Sequence, residues 1–227
     1  MKIGLIIALE DEINQLLNKD LKLIDIIYDK YKIYLYEINN NQLYVALSGI
    51  GEINSSMATQ YVIDKFNVDL IVNYGVCGSL KEEIGLLHVV MIESLIDGDY
   101  DTSKCGNELP FIRYEDGYNS LKISCNNEYT TKVHNLFPSI KGATCLSKNT
   151  FVDSLDEKRK LADYFKADIC EMEALGIFLC SKKNGLPSLF IKGVSDSFNG
   201  GKEEYQAMKV EASKVIVEII LGLFKTL

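Results

Sequence analysis

Short runs rich in Ile, Val and Leu alternate along this chain with stretches whose apolar residues recur at helical spacing, and this alternation restricts the fold more than any other feature. KIGLII at residues 2–7 reads as a buried strand, and the acidic ALEDEINQLL at residues 8–17 as the helix after it. LKLIDIIY, YKIYLYEI and QLYVALS, between residues 21 and 48, read as a β meander broken by polar turns. A glycine turn at residues 48–51 opens a helix bearing Ile53, Met57 and Tyr61; residues 68–74 are the next strand, closed by the small residues GVCGS. Further strands fall at LLHVVMIESLI, LKISC, KGATCLS, ADICE and LFIKGVS, and further helices at NNEYTTKVHNLF, LDEKRKLADYF, residues 172–183 and residues 203–224. We therefore expect one α/β domain over residues 1–227, a three-layer sandwich whose central sheet is mixed, mostly parallel and flanked by helices.

Composition narrows the function. With 47% hydrophobic residues, 25% charged residues and 3 prolines, the chain has the makeup of a folded domain and not of a disordered one. The net charge of -8, with Lys and Arg dispersed, argues against nucleic acid as a partner, because a phosphate backbone needs a basic stripe. The amino-terminal apolar run is too short for a membrane span and is followed at once by acids, so we expect a cytoplasmic protein with no membrane partner. Cysteines 77, 105, 125, 145, 170 and 180 include no CxxC pair, and we read them as buried free thiols.

The candidate chemistry is carboxylate chemistry. LFIKGVS at residues 189–195 delivers Asp196 at a strand end, where open α/β proteins place groups in the crevice above the sheet. Glu12 follows the first strand, and Glu173 stands where ADICE runs into a helix. Three acids converging on one sheet edge would be costly as structure and useful as chemistry: one can protonate a leaving group while another orients water. Taken singly, each has a bland alternative, a helix-dipole acid for Glu12, a helix-start acid for Glu173 and a turn former for Asp196. SGIGEIN lacks the third glycine of a dinucleotide fingerprint and no GxxxxGK[ST] or GxSxG occurs, so NAD, ATP and a serine triad are unsupported. His88 and His134 lack companion ligands, and we expect no metal and no cofactor.

Taken together, these segments resemble the nucleoside phosphorylase and nucleosidase superfamily, and within it the 5'-methylthioadenosine/S-adenosylhomocysteine nucleosidases. The resemblance spans nearly the whole chain and rests on MKIGLIIALEDEI, SGIGEINSSMAT, NYGVCGSL, SKNTFV, ICEMEALGI and KGVSDSF. It implies that Asp196, next to Ser195, protonates N7 of a purine, that Glu12 holds the attacking water, and that Glu173 binds the ribose hydroxyls. It implies further that Phe151 stacks on the base, that the backbone of Val152 reads its edge and that Met172 packs under the sugar. Ile50, Val76, Cys77 and Gly78 would complete the substrate site. It also implies a homodimer, for which residues 97–111 and the apolar face of residues 53–61 are the candidate interface.

Phosphate as the nucleophile would need cations around it, yet the chain's two arginines, Arg113 and Arg159, both lie away from the strand-end glycine turns, so water is favoured. A phosphorylase and a nucleoside-binding homologue with little turnover remain as alternatives. Four positions depart from the family pattern: Asn149 for an acid, Val76 for a small polar residue, Lys192 for an arginine and Gly98 for a histidine. A neutral Asn149 beside Asp196 would imply a purine preference other than adenine.

Overall fold

The computed structural model describes residues 1–17, 19, 21–101, 103–106, 112–113, 119–120 and 122–227. The chain runs β1 (Lys2–Ile7), α1 (Glu10–Leu17), β2 (Lys22–Tyr28), β3 (Lys32–Ile38), β4 (Asn41–Leu47), α2 (Glu52–Phe66), β5 (Leu70–Ser79) and β6 (Val89–Asp97). It continues through β7 (Ile112–Arg113), β8 (Asn119–Ser120), β9 (Ile123–Ser124), α3 (Glu128–Leu136), β10 (Lys141–Ser147) and α4 (Leu155–Phe165). β11 (Ile169–Glu171), α5 (Ala174–Lys183), β12 (Ser188–Asp196) and α6 (Lys202–Phe224) complete it. The expected alternation is present, with two differences. β5 does not stop at Tyr74 but runs through the small residues to Ser79, and LKISC contributes only the two-residue β9.

The strands order as β2-β3-β4-β1-β5-β12-β6-β10-β11, and β11 then returns to pair with β5, Ile169 opposite Ser79 and Cys170 opposite Gly78. The central sheet is thus not the open layer expected from the sequence: β5, β12, β6, β10 and β11 close into a ring, and β1 to β4 extend from it. Nor is the pairing mostly parallel. Among the described residues the main sheet has five parallel and five antiparallel pairings. β5 stays paired with β12 as far as Gly78, while its other edge passes from β1 at Leu70–Asn73 to β11 at Gly78 and Ser79, which closes the ring.

Helices cover both faces. Ile3, Leu5, Ile7 and Tyr74 join one buried cluster with Ile13 of α1, Val133 of α3 and Ile216 of α6. Ile6 and Ile71, pointing the other way by strand alternation, join Val62 of α2 and Ile177 of α5 in a second. The apolar tail of α6 is explained by this packing: Ile216, Val217, Ile220, Leu223 and Phe224 are fully buried, each burial being worth roughly 1.5–3 kcal/mol. α2 and α5 approach closely where Gly176 faces the carbonyl of Glu52, because any Cβ at Gly176 would overlap that oxygen. Their amino-terminal ends therefore meet, and Gly51 and Glu173 with them.

Candidate active site

A cavity of about 340 Å³ opens where the ends of β5, β11 and β12 meet the starts of α1 and α5. Ten of the twelve site residues anticipated above line it: Glu12, Ile50, Val76, Cys77, Gly78, Phe151, Met172, Glu173, Ser195 and Asp196. Val152 lines a small side chamber of about 40 Å³ shared with Asp196, Phe151 and Met172. Asn149 is the exception. Its amide oxygen accepts from the Glu52 backbone N–H at 2.9 Å and its amide N–H donates to Asp99 at 3.1 Å, so it binds the start of α2 and lines neither chamber. The altered purine preference inferred from Asn149 therefore loses its basis.

The carboxylates are held by backbone donors. Glu12 in the first turn of α1 accepts from Val76 N–H at 2.9 Å and from Leu9 N–H at 3.0 Å, and burial raises its pKa against the opposing pull of Lys192. A Cβ at Gly75 would lie 2.8 Å from Glu12 Oε1, so the glycine is what lets this carboxylate reach the strand. Glu173 occupies the residue just before α5 without a side-chain capping bond, and its carboxylate accepts from Gly51 N–H at 3.0 Å. Burial, with the neighbouring Glu171, raises its pKa to about 7.

Asp196 closes β12 just after a register shift between Val194 and Asp196, and a bulge of this kind re-aims side chains. Ser195 Oγ donates to Asp196 Oδ1 at 2.9 Å, and a Cβ on the opposing Gly78 would come within 2.7 Å of Oδ2. The mouth is aromatic: Phe151, 40% exposed, meets Tyr205 edge to face with ring centroids 5.2 Å apart.

Sequence reasoning missed four contributors. Glu171 accepts from the Glu173 and Ala174 N–H groups at 3.0 and 2.9 Å, so it is the carboxylate that caps α5 from the preceding strand. Lys192 is fully buried 3.0 Å from it; burial opposes the charge of Lys192, yet Glu171, Glu173 and Glu12 together raise its pKa. Lys158 is buried against Asp196, and Tyr205 comes from α6 at the cavity mouth. The doublet Glu171-Met172-Glu173 carried a hint, since two acids flanking one residue at a strand-to-helix junction face different ways. Nothing in DEKRK distinguishes Lys158 from its charged neighbours.

Other expectations fall outside the cavity. His134 Nε2 pairs with Glu93 at 2.7 Å and His88 Nδ1 accepts from Gly85 N–H at 3.2 Å. All six cysteines are free thiols, but Cys105 is exposed and Cys180 half-buried. Among the described residues no group of three or more His, Cys, Asp or Glu forms a metal site, and no helix is long and apolar enough to cross a membrane. Of the candidate interface at 97–111, residues 102 and 107–111 lie outside the described residues, as does the side chain of Arg113.

A crevice at strand ends, ringed by carboxylates and walled by apolar and aromatic side chains, defines a protein that handles a small, largely uncharged ligand and can move protons on it. Residues 2–225 match the family model described as Phosphorylase superfamily, and the chain belongs to that family. It is 28% identical over 231 residues to the 5'-methylthioadenosine/S-adenosylhomocysteine nucleosidase of Staphylococcus haemolyticus, covering 99% of this chain and 100% of that one. It is 24% identical over 230 residues to the aminodeoxyfutalosine nucleosidase of Campylobacter jejuni, covering all of both. In fold it matches the Helicobacter pylori 5'-methylthioadenosine/S-adenosylhomocysteine nucleosidase bound to butyl-thio-DADMe-Immucillin-A, with a TM-score of 0.92 at 22% identity over 100% of this chain and 99% of that one.

Proposed function

We propose that this chain is an N-glycosyl hydrolase that releases the base from a purine nucleoside, with 5'-methylthioadenosine or S-adenosylhomocysteine as substrate. The nucleosidases to which it is similar support the bond cleaved. One observation carries the choice of water over phosphate: no lysine or arginine is among the described residues lining the cavity, and the two buried lysines nearby are each engaged by carboxylates. A phosphate dianion there would face Glu12, Glu171, Glu173 and Asp196 without a counter-ion.

In this reading Asp196 delivers a proton to N7 as the bond from C1' to N9 breaks. Positive charge then develops on the sugar, where the carboxylates of Glu12 and Glu173 stabilise it electrostatically. Glu12 accepts a proton from the water that attacks C1', and Glu173 binds the ribose hydroxyls. Phe151 and Tyr205 close over the base, and Met172 lies against the sugar. The enzyme is cytoplasmic and acts as a homodimer.

A second substrate, aminodeoxyfutalosine, is carried by the full-length similarity to the Campylobacter jejuni enzyme. Base release from 5'-methylthioadenosine, S-adenosylhomocysteine, aminodeoxyfutalosine and inosine, followed with and without phosphate, tests both. Phosphate-independent release of adenine is the expected result. Release that requires phosphate, or tight nucleoside binding with no release, overturns the assignment.

A further inference from the structure

Lys158 lies four residues into α4, within a run of charges that reads as a solvated helix face, yet its side chain is fully buried. Its Nζ donates to Asp196 Oδ2 at 2.6 Å and to the Ser197 carbonyl at 2.6 Å. It does not line the cavity. Stability is a poor reason for such a pair, because the loss of hydration on burying two charges roughly cancels their attraction, and an apolar replacement of similar volume often serves as well. The position is more informative. Asp196 Oδ2 accepts from the Lys158 ammonium, while Ser195 Oγ lies 2.9 Å from Oδ1 and 3.3 Å from the Cys77 carbonyl with one proton to give between them, so the ammonium is the fixed donor and the carboxyl it holds is an acceptor. A carboxyl in that state has no proton to give. Of the two groups beside it the ammonium is far more acidic than the aliphatic hydroxyl of Ser195.

We propose that Lys158 is the positioning residue that fixes Asp196 and supplies the proton Asp196 passes to the departing base; the inference rests on the nucleosidase reading above. As the bond from C1' to N9 breaks, its electron pair moves into the purine ring and N7 takes a proton from Asp196. Asp196 takes one from Lys158 Nζ, which becomes a neutral amine. Water forms the new bond to C1' and gives a proton to Glu12. Solvent then removes the proton from Glu12, and a proton returns to the buried amine through Asp196, which lines the cavity, so the sum is nucleoside and water to base and sugar.

The experiment compares wild type, Lys158→Met and Lys158→Arg on a purine nucleoside and on a 4-nitrophenyl riboside, whose leaving group needs no proton. Lys158→Met is expected to lower kcat on the nucleoside by about 100-fold, with KM and nitrophenyl turnover each within about threefold of wild type. Lys158→Arg, which keeps the charge, is expected to recover at least about tenfold of that loss. Unchanged nucleoside turnover in Lys158→Met, or an equal loss on both substrates, overturns the role.

Binding of free bases supplies a readout independent of turnover. An acceptor held in place at Asp196 should bind 9-deazaadenine, which carries hydrogen on N7, at least about tenfold tighter than 9-methyladenine, whose N7 accepts, and Lys158→Met, which no longer holds the carboxyl against the base, should abolish that difference. Absence of the preference in wild type, or its survival in Lys158→Met, overturns the proposal even if no nucleoside is cleaved or Lys158→Met does not fold. Failure of wild type to release any base, with the preference present and lost in Lys158→Met, sinks the nucleosidase reading and leaves the assignment to Lys158 standing.

Discussion

Glu12 and Gly75 show how far single residues determine the chemistry, because the carboxylate reaches β5 only where the facing residue has no Cβ. Glu12→Gln keeps the shape and removes the base, so kcat on a purine nucleoside should fall about 10²–10⁴-fold with little change in KM, read by steady-state assay. Gly78→Ala would force Asp196 aside; nucleoside turnover should drop at least about tenfold, while a structural cost of about 1–3 kcal/mol appears as a lower denaturation midpoint.

The raised acids set two pH effects. Glu12 acts as a base only when ionised, so the acid limb of kcat/KM should lie above the ordinary glutamate range, activity being lost as pH falls through its raised pKa. For stability the sign is opposite. Glu173 moves from 4.5 to about 7 on folding, so the native state binds the extra proton between those values. Its contribution to stability is fully present below 4.5 and is lost as pH rises through about 7. Denaturation midpoints between pH 5 and pH 8 should therefore decline, and Glu173→Gln should flatten the decline.

Elements matter through where their ends are brought. α5 begins at the cavity because Glu171 at the end of β11 satisfies the free N–H groups of its first turn. α2 begins there because Gly51, at φ 97, turns the chain and donates to Glu173. α4 enters from a Ser154 cap and carries Lys158 inward. Gly176→Ala should separate α2 from α5, lowering thermal stability by about 1–3 kcal/mol and weakening nucleoside binding together, since Glu173 rides on the same junction. A melting curve paired with a binding titration checks both.

For the molecule as a whole, the exposed apolar face of α2, where Ile53 is 72% and Met57 59% exposed, is the surface we propose for the homodimer put forward under the proposed function. Met57→Glu should shift the protein from dimer to monomer in sedimentation; a monomeric wild type would remove this assignment. The order of strands and helices was legible in the sequence because periodicity of burial is a local property, and the carboxylates were legible because Asp196 ends a strand and Glu12 and Glu173 follow shortly after one. Closure of the sheet was not, since nothing in GVCGS or ADICE states that β11 will turn back onto β5. The place of Asn149 was misjudged because motif spacing does not say which helix end an amide will bind. The sequence by itself therefore determined the elements, the family and the acids available for chemistry. Only the tertiary structure decided which acids face the cavity, which cap a helix, and that a lysine from a charged helix lies beside Asp196, because direction and burial depend on long-range contacts that no local pattern encodes.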